Sequence, residues 1–403
     1  MDVTQWSERV ENECSHLDRF LRETRRRFHR YPELSGQETG TTAYLSEQLK
    51  LAGVPHRCGR EGKGLMTEAT TASGPAPAIA LRADLDALPI VEANEVDYRS
   101  TNPGVMHACG HDAHSAILLG ATLALWRAGL PKVAWRGIFQ PAEEVGQGAL
   151  EMINQGALEG VQAIVALHMD PNREIGQVGI TAGLRTAYCQ DFVIDVVGRG
   201  GHGARPHQTV DPIAVAANLV TLIYQALPRQ TDARTPLVVT IGSIQGGQSA
   251  NVIPDRVVLR GTIRALGEAV ANHGRETLSH LCEGTARAFR AEVTPAFTPL
   301  LPGMANDPTV TELCQRVAKQ LLGSTAVITD DLPSMGAEDF AEYTRLVPGC
   351  MMVLGCRSPG AKITPLHTPQ FNIAEDVLLL GVRLLTQVVC HWPMESLNGE
   401  PTS

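Results

Sequence analysis

The chain has 403 residues, 43% of them hydrophobic and 19% charged, with a formal net charge of −9. This is the balance of a soluble globular protein long enough for two domains or more. With no basic cluster beyond "RETRRR" (Arg22 to Arg27), nucleic acid is not an expected partner. The opening stretch "MDVTQWSERVENECSHLDRFLRE" lacks the apolar core of a signal peptide, and no run of about 18 apolar residues suggests a membrane span. The nine cysteines are scattered and contain no C-x-x-C, which fits a reducing cytoplasm better than a disulfide framework.

In chain order, the spacing predicts a helix from about residue 5 to 30 and another over Gly40 to Val54. The Gly/Pro/Ala/Thr-rich stretch Gly59 to Pro77 reads as loop, with at most an edge strand. Three segments follow, "AIALRADLDALPI", "VAWRGIFQPAEE" and "AIVALHMDP". Each begins as a short apolar run of the kind buried in a mostly parallel sheet. They end in Asp84 and Asp86, in Glu143 and Glu144, and in His168 and Asp170. A helical pattern from His114 to Gly129 lies between the first two. Alternating strand and helix predicts an α/β layer fold, in which ligands bind beyond the carboxyl ends of the strands.

From about 188 to 300 the pattern changes. "DFVIDVVGRGG", "TPLVVTIGSIQGG", "DRVVLRGTIRAL" and "AEVTPAFTP" read as strands. "DPIAVAANLVTLIYQAL" and Glu268 to Arg290 read as helices, the former with Asp211 as N-cap and Pro212 in first position. The order βαββαβ is the split-βαβ or ferredoxin-like unit. An inserted α+β domain at 188–300 is therefore expected, with 1–187 and 301–403 forming the two parts of an α/β domain. In the second part, Asp307 and Pro308 open a helix, "GAEDFAEYTRLV" is another, "CMMVLGC" is a strand and "PLHTPQF" a loop.

Several of these positions carry chemistry. Cys109 and His111 stand one residue apart in "MHACGHDAH", His168 and His367 each close a structured run, and Glu143 and Glu144 are adjacent after a strand. Thiolate, imidazole and carboxylate are the ligand set of zinc and its neighbours. Adjacent glutamates diverge on extended backbone, so one can bind metal while the other remains free as a general base.

"RADLDALPI", "GVMHACGHDAH", "FQPAEE", "ALH", "GRGGHGARPH", "NVIPD", "GAEDF" and "LHTPQF" occur in this order over nearly the whole chain. Together they resemble the co-catalytic metallopeptidase family of glutamate carboxypeptidases and aminoacylases. Within it they are most similar to the branch of N-acyl-amino-acid amidohydrolases, hippurate hydrolases and auxin-conjugate hydrolases. The resemblance implies a zinc-peptidase-like α/β catalytic domain and a ferredoxin-like lid domain that dimerises. It implies five ligands for two divalent metals, namely Cys109, His111, Glu144, His168 and His367, with the thiolate a candidate bridge. Zinc is favoured, with manganese or cobalt as alternatives. Glu143 corresponds to the general base, and Asp86 to an aspartate that orients a ligand. Asp84 stands where wider relatives have a metal-binding histidine. His202 corresponds to a lid histidine that holds the oxyanion in the partner subunit's site, and Asn251 and Arg264 to lid residues that grip the substrate's carboxylate.

The expectation is a cytoplasmic homodimer that cleaves small N-acyl amino acids into a carboxylic acid and a free amino acid. A metallo-carboxypeptidase or dipeptidase is the alternative within the same chemistry, and a non-catalytic binding homodimer the alternative outside it. His107, Asp112 and His114 are expected to support the ligands without touching metal. "HRYPELSGQE" (His29 to Glu38) is expected to serve packing and the substrate-side loop.

Overall fold

A computed structural model describes residues 3–67, 79–129 and 133–392. They form two compact units, one of residues 3–183, 305–332 and 338–392, the other of residues 184–304 with 333–337. Among the described residues no helix is long and apolar enough to cross a membrane.

The first unit is an α/β layer. Its eight-stranded sheet runs His56–Cys58, Leu65–Thr67, Trp135–Gln140, Ile79–Asp84, Ala163–Glu174, Gly349–Arg357, Val178–Gly179, Val327–Ile328. The central pairings are parallel: Ile79–Asp84 lies between Trp135–Gln140 and Ala163–Glu174, and the latter pairs with Gly349–Arg357. Ile79–Asp84 and Trp135–Gln140 are buried along their whole length, as continuous apolar runs covered on both faces must be. Leu65–Thr67 departs from the expectation of an edge strand. It pairs on both sides, and all three residues are buried. The rest of the expected loop, 68–77, lies outside the described residues.

The expected helix from 5 to 30 is two helices, Val3–Ser15 and Asp18–Arg30. The second buries Leu21, Thr24, Arg25, Phe28 and His29, one stripe at three- and four-residue spacing. Its buried arginine and histidine have polar partners described below. Helix His111–Arg127 starts three residues before the expected start and is buried from His111 to Leu125. It packs among Leu21, Val382 and Leu385 in one continuous core. Two helices, Gly148–Asn154 and Val377–Cys390, are additional to the sequence reading, whereas "GAEDFAEYTRLV" contributes only the short helix Phe340–Thr344. Asp307 caps helix Pro308–Leu322 by accepting the N–H groups of Thr309 and Val310 at 2.9 and 3.0 Å.

The second unit has the element order βαββαβ: Tyr188–Val197, Pro212–Gln230, Leu237–Gly246, Arg256–Ala265, Glu268–Phe289 and Glu292–Phe297. Its sheet order is Leu237–Gly246, Arg256–Ala265, Tyr188–Val197, Glu292–Phe297, with every neighbour antiparallel. The two helices cover it through a separate core that includes Phe192, Ile194, Leu219, Ile223, Leu259 and Leu278. Residues 333–337 join this unit by backbone bonds from Ser334 N to Arg185 O (2.8 Å) and from Ala187 N to Gly336 O (2.9 Å).

Gly148 opens the helix behind the Glu143–Glu144 turn, and a Cβ there would lie 1.6 Å from the carbonyl oxygen of Pro141. Backbone cannot yield as a side-chain tip can. Gly148→Ala is expected to lower stability by about 1–3 kcal/mol or more, read from the denaturant midpoint. An unchanged midpoint would mean that the turn accommodates the methyl group freely.

Candidate metal centre

Three parallel strands deliver the site. Ile79–Asp84 ends at Asp84 with Asp86 just beyond, Trp135–Gln140 leads into Glu143 and Glu144, and Ala163–Glu174 carries His168. The fourth contribution is the turn Cys109–Gly110–His111. Gly110 has φ +94°, and a Cβ there would sit 2.8 Å from Met169 Cγ, so glycine is needed both for the conformation and for the space. The fifth is His367, at φ +59° in a loop, whose N–H donates to the Ala108 carbonyl at 2.8 Å.

These segments bring together all five side chains assigned as ligands by resemblance. Cys109 Sγ lies 3.6 Å from His168 Nε2 and 3.3 Å from His367 Nε2. Glu144 Oε1 is 3.4 Å from His367 Nε2 and 3.9 Å from His111 Nε2. Cys109, His111 and His168 form one cluster of potential ligand atoms, and Cys109, Glu144 and His367 another, each within 4.8 Å. The thiolate is common to both.

The hydrogen bonds decide which ring nitrogens are available. His111 Nδ1 donates to the Asp86 carbonyl at 2.9 Å, and His168 Nδ1 to the Met169 carbonyl at 2.9 Å. In the neutral form of each ring, the form in which an imidazole binds a metal, this leaves Nε2 as a bare lone pair aimed at the cluster. His111 Nε2 and Glu144 Oε1 are buried without a hydrogen-bond partner. Orphaned buried acceptors are costly. Two acceptors facing a thiolate and two more imidazoles suit a divalent metal of the zinc type.

His114 is equally near but is spent elsewhere. Its Nε2 accepts the Met169 N–H at 2.9 Å, which requires Nδ1 to carry the proton it donates to Asp84 at 2.7 Å. Burial holds it neutral, down to about 4. It ties Asp84 to the His168 strand. His107 is also buried and pushed down to about 4 by desolvation, and neither of its ring nitrogens has a partner. Asp112 turns away from the cluster to Arg25 and His29, each at 2.8 Å.

The charged groups of the site shift one another. Burial opposes ionisation of Cys109, but the positive charges of His111 and His168 outweigh it and bring the thiol down to about 6. Reciprocally, His168 rises to about 9 against its burial because of the Cys109 thiolate. His367 rises to about 10 through its hydrogen bond to Cys109 and the nearby Glu144 carboxylate. Glu143 moves well above the usual carboxylate range, first by burial and then by the negative charges of Glu338 and Asp339.

Asp86 anchors the glutamate turn, accepting the N–H groups of Glu143 (3.1 Å) and Glu144 (2.9 Å) as well as Ser35 Oγ (2.7 Å). Glu38 accepts the N–H of Ala142 at 2.8 Å and so holds that residue at φ +55°. Arg82 is fully buried against Asp84 (2.6 Å), Asp339 (2.9 Å) and Glu338 (3.1 Å). The sequence reading left Arg82 and Glu38 without a role at the site. The signal was an arginine inside an apolar strand, "ALRAD", which has to be paired if that strand is buried.

Three further residues singled out by resemblance belong to the second unit. His202 pairs with Val252 in a small two-stranded ribbon, Asn251 precedes that strand with its carbonyl accepting the Gly203 N–H at 2.9 Å, and both His202 and Asn251 are exposed. Arg264 is half-buried on the sheet, with Nη1 donating to the Met335 carbonyl at 3.1 Å.

Residues 80–391 match the peptidase family M20/M25/M40. The chain is 36% identical over 366 residues to the N-acetyl-L-cysteine deacetylase of Bacillus subtilis, covering 91% of this chain and 86% of that protein. It is 35% identical over 382 residues to thermostable carboxypeptidase 1 of Saccharolobus solfataricus, covering 93% and 95%. Among solved structures, a Bacillus subtilis protein described as a dinuclear metal-binding peptidase of the M20 family superposes with a TM-score of 0.78 at 31% identity, covering 93% of this chain and 98% of that one.

Because Cys109 touches both clusters, Cys109→Ala is expected to reduce bound metal at both, measured by elemental analysis of the folded, metal-dialysed protein. Unchanged stoichiometry would remove the thiolate from the ligand set.

Proposed function

The chain belongs to peptidase family M20/M25/M40, a metal-dependent hydrolase lineage, and from that premise we propose that it hydrolyses the amide bond of small N-acyl amino acids. The observation that carries this reading is the convergence of Cys109, His111, Glu144, His168 and His367 with a sixth group, Glu143, left over beside them. Two divalent metals held by those five side chains, zinc being favoured by the thiolate, would polarise the scissile carbonyl and acidify water.

Glu143 has the place and the environment of the general base. Its carboxylate lies 3.9 Å from His111 Nε2, and the surroundings that raise its pKa favour accepting a proton. It takes the proton as the water oxygen bonds to the carbonyl carbon. It returns that proton to the nitrogen as the C–N bond breaks, so a carboxylic acid and a free amine leave. His202 is assigned to the oxyanion, donated from the partner subunit of a homodimer. Asn251 and Arg264 are assigned to the substrate carboxylate, for which a planar guanidinium fork is suited.

The deacetylase relative supports an acyl substrate, and the carboxypeptidase relative supports a peptide one. A panel of N-acetyl, N-benzoyl and dipeptide substrates separates the two, and no turnover by metal-replete protein on any member would end the hydrolase reading. The cysteines are free thiols, most of them buried, which supports a reducing, cytoplasmic setting.

Two outcomes are expected. Glu143→Gln should keep its metals and lose roughly 10²–10⁴-fold in kcat, measured by steady-state kinetics beside elemental analysis; surviving activity would exclude Glu143 as the base. Mixing Glu143→Gln chains with His202→Ala chains should restore part of the activity after subunit exchange, because one mixed site then holds both residues. Absence of recovery in a mixture shown to contain mixed dimers would return His202 to its own subunit or to a bystander role.

A further inference from the structure

Helix Asp18–Arg30 carries two buried ionisable side chains into an otherwise apolar packing layer. Arg25 has a fully buried side chain. Its Nε donates to Asp112 Oδ2 at 2.8 Å, its Nη2 to Asn372 Oδ1 at 2.9 Å, and its guanidinium lies 4.9 Å from the centre of the Tyr98 ring. Glu375 Oε1 is 3.5 Å from its Nη1. His29 stands between two carboxylates, with Nδ1 2.8 Å from Asp112 Oδ2 and Nε2 3.0 Å from Glu92 Oε1. The Asn94 amide donates both to Glu92 Oε1 (3.1 Å) and to the Phe371 carbonyl (2.9 Å).

Two routes therefore leave Asp112, one through Arg25 and one through His29, Glu92 and Asn94, and both end in the segment 371–375. Asp112 directly follows His111, and the segment directly follows the His367 loop.

We propose that Arg25 and His29 are positioning residues that clamp the Cys109–His111 turn to the His367 loop, and so set the separation of the ligands that the two segments carry. The proposal rests on the metal-centre reading above. A buried ion network of this size is no more stable than well-packed apolar side chains of similar volume, so stability alone does not account for it. Its two ends do, because both finish within a few residues of a ligand. The ligands face each other closely, with His367 Nε2 3.3 Å from Cys109 Sγ. Metal–ligand distances tolerate only about 0.2 Å, so a loop free to drift by a fraction of an ångström would not hold a metal firmly.

The test separates the clamp from the core. Asn372→Leu removes the acceptor at the far end of Arg25, Asn372→Asp keeps an oxygen there, and Arg25→Lys keeps the charge but loses the fork. Zinc affinity is read by chelator competition, and ligand geometry by the thiolate-to-cobalt and d–d absorption of the cobalt-loaded protein, beside circular dichroism and Tm. Asn372→Leu and Arg25→Lys are expected to fold, to bind zinc roughly 10–100-fold more weakly and to shift the cobalt bands, with Asn372→Asp restoring both. Folded variants with unchanged zinc affinity and cobalt spectrum overturn the clamp, as does failure of Asn372→Asp to restore them. If neither disruptive variant folds, hydrogen exchange of the unsubstituted protein decides. With metal removed by chelator, the amides of 367–375 should stay protected together with those opening helix His111–Arg127. Rapid exchange confined to 367–375 overturns the clamp. Unsubstituted protein that takes up no zinc or cobalt at all would instead overturn the metal-centre reading.

Discussion

The first unit depends on pairing charge where there is little water. Asp84, Asp86, Glu338 and Asp339 are buried, and Glu143 and Glu144 nearly so, in one neighbourhood. Unpaired carboxylates in such a place would be prohibitively costly. Arg82 answers three of them, and His111 and His114 help to hold Asp84 well below its usual range despite its burial. One guanidinium does not balance the group, and the residual negative charge is visible in Asp339, which burial and Glu338 push up to about 7. A pocket with surplus acid and orphaned lone pairs has a standing affinity for cations. The same surplus leaves Glu143 able to hold a proton.

Geometry is enforced as firmly as charge. Ala142 and His367 both sit at positive φ without being glycine, at 55° and 59°, a conformation that persists only when its surroundings over-determine it. Each is tied by its own N–H, Ala142 to Glu38 and His367 to Ala108. Ala142 adjoins the glutamate pair, and His367 is itself one of the cluster's potential ligands. The imidazoles are fixed by the same economy: Nδ1 of His111 and of His168 donates to a backbone carbonyl and leaves Nε2 to face the cluster, whereas His114 uses both nitrogens, Nδ1 on Asp84 and Nε2 on the Met169 N–H. That leaves an open nitrogen on His111 and His168 and none on His114.

Much of this was legible beforehand, unevenly and for physical reasons. Apolar runs ending in acids and histidines located the strand ends of the α/β layer, because a parallel sheet needs continuous burial and ligands gather beyond its carboxyl edge. Asp307 announced its helix through capping chemistry. Helix Val377–Cys390 escaped because a helix apolar nearly all round shows no polar face to reveal its period. Helix Gly148–Asn154 escaped because two turns are too few to establish one. Leu65–Thr67 was hidden by glycine and threonine neighbours, and its place inside the sheet is set by long-range pairing with Phe139 and Ile138. The ligands themselves came from resemblance more than from spacing. Arg25 was missed because its burial depends on Asp112, Asn372 and Glu375, 87 to 350 residues away, and Arg82 because, beyond the neighbouring Asp84, it needs Glu338 and Asp339 more than 250 residues away.

Cys109 shows how little residue type alone would have said. The chain holds several buried cysteines, and burial pushes Cys14 up to about 11 and Cys282, Cys356 and Cys390 to about 12. Cys109 is as deeply enclosed as these and is still brought down to about 6, because the positive charges of His111 and His168 outweigh its desolvation. Its neighbours favour the thiolate, where burial favours the neutral thiol in the others. Only the thiolate binds metal, so what distinguishes Cys109 from the other buried cysteines is a pair of histidines, His111 from its own turn and His168 from a strand 59 residues onward. The fold's contribution to the site is therefore largely to choose the neighbours of one sulfur.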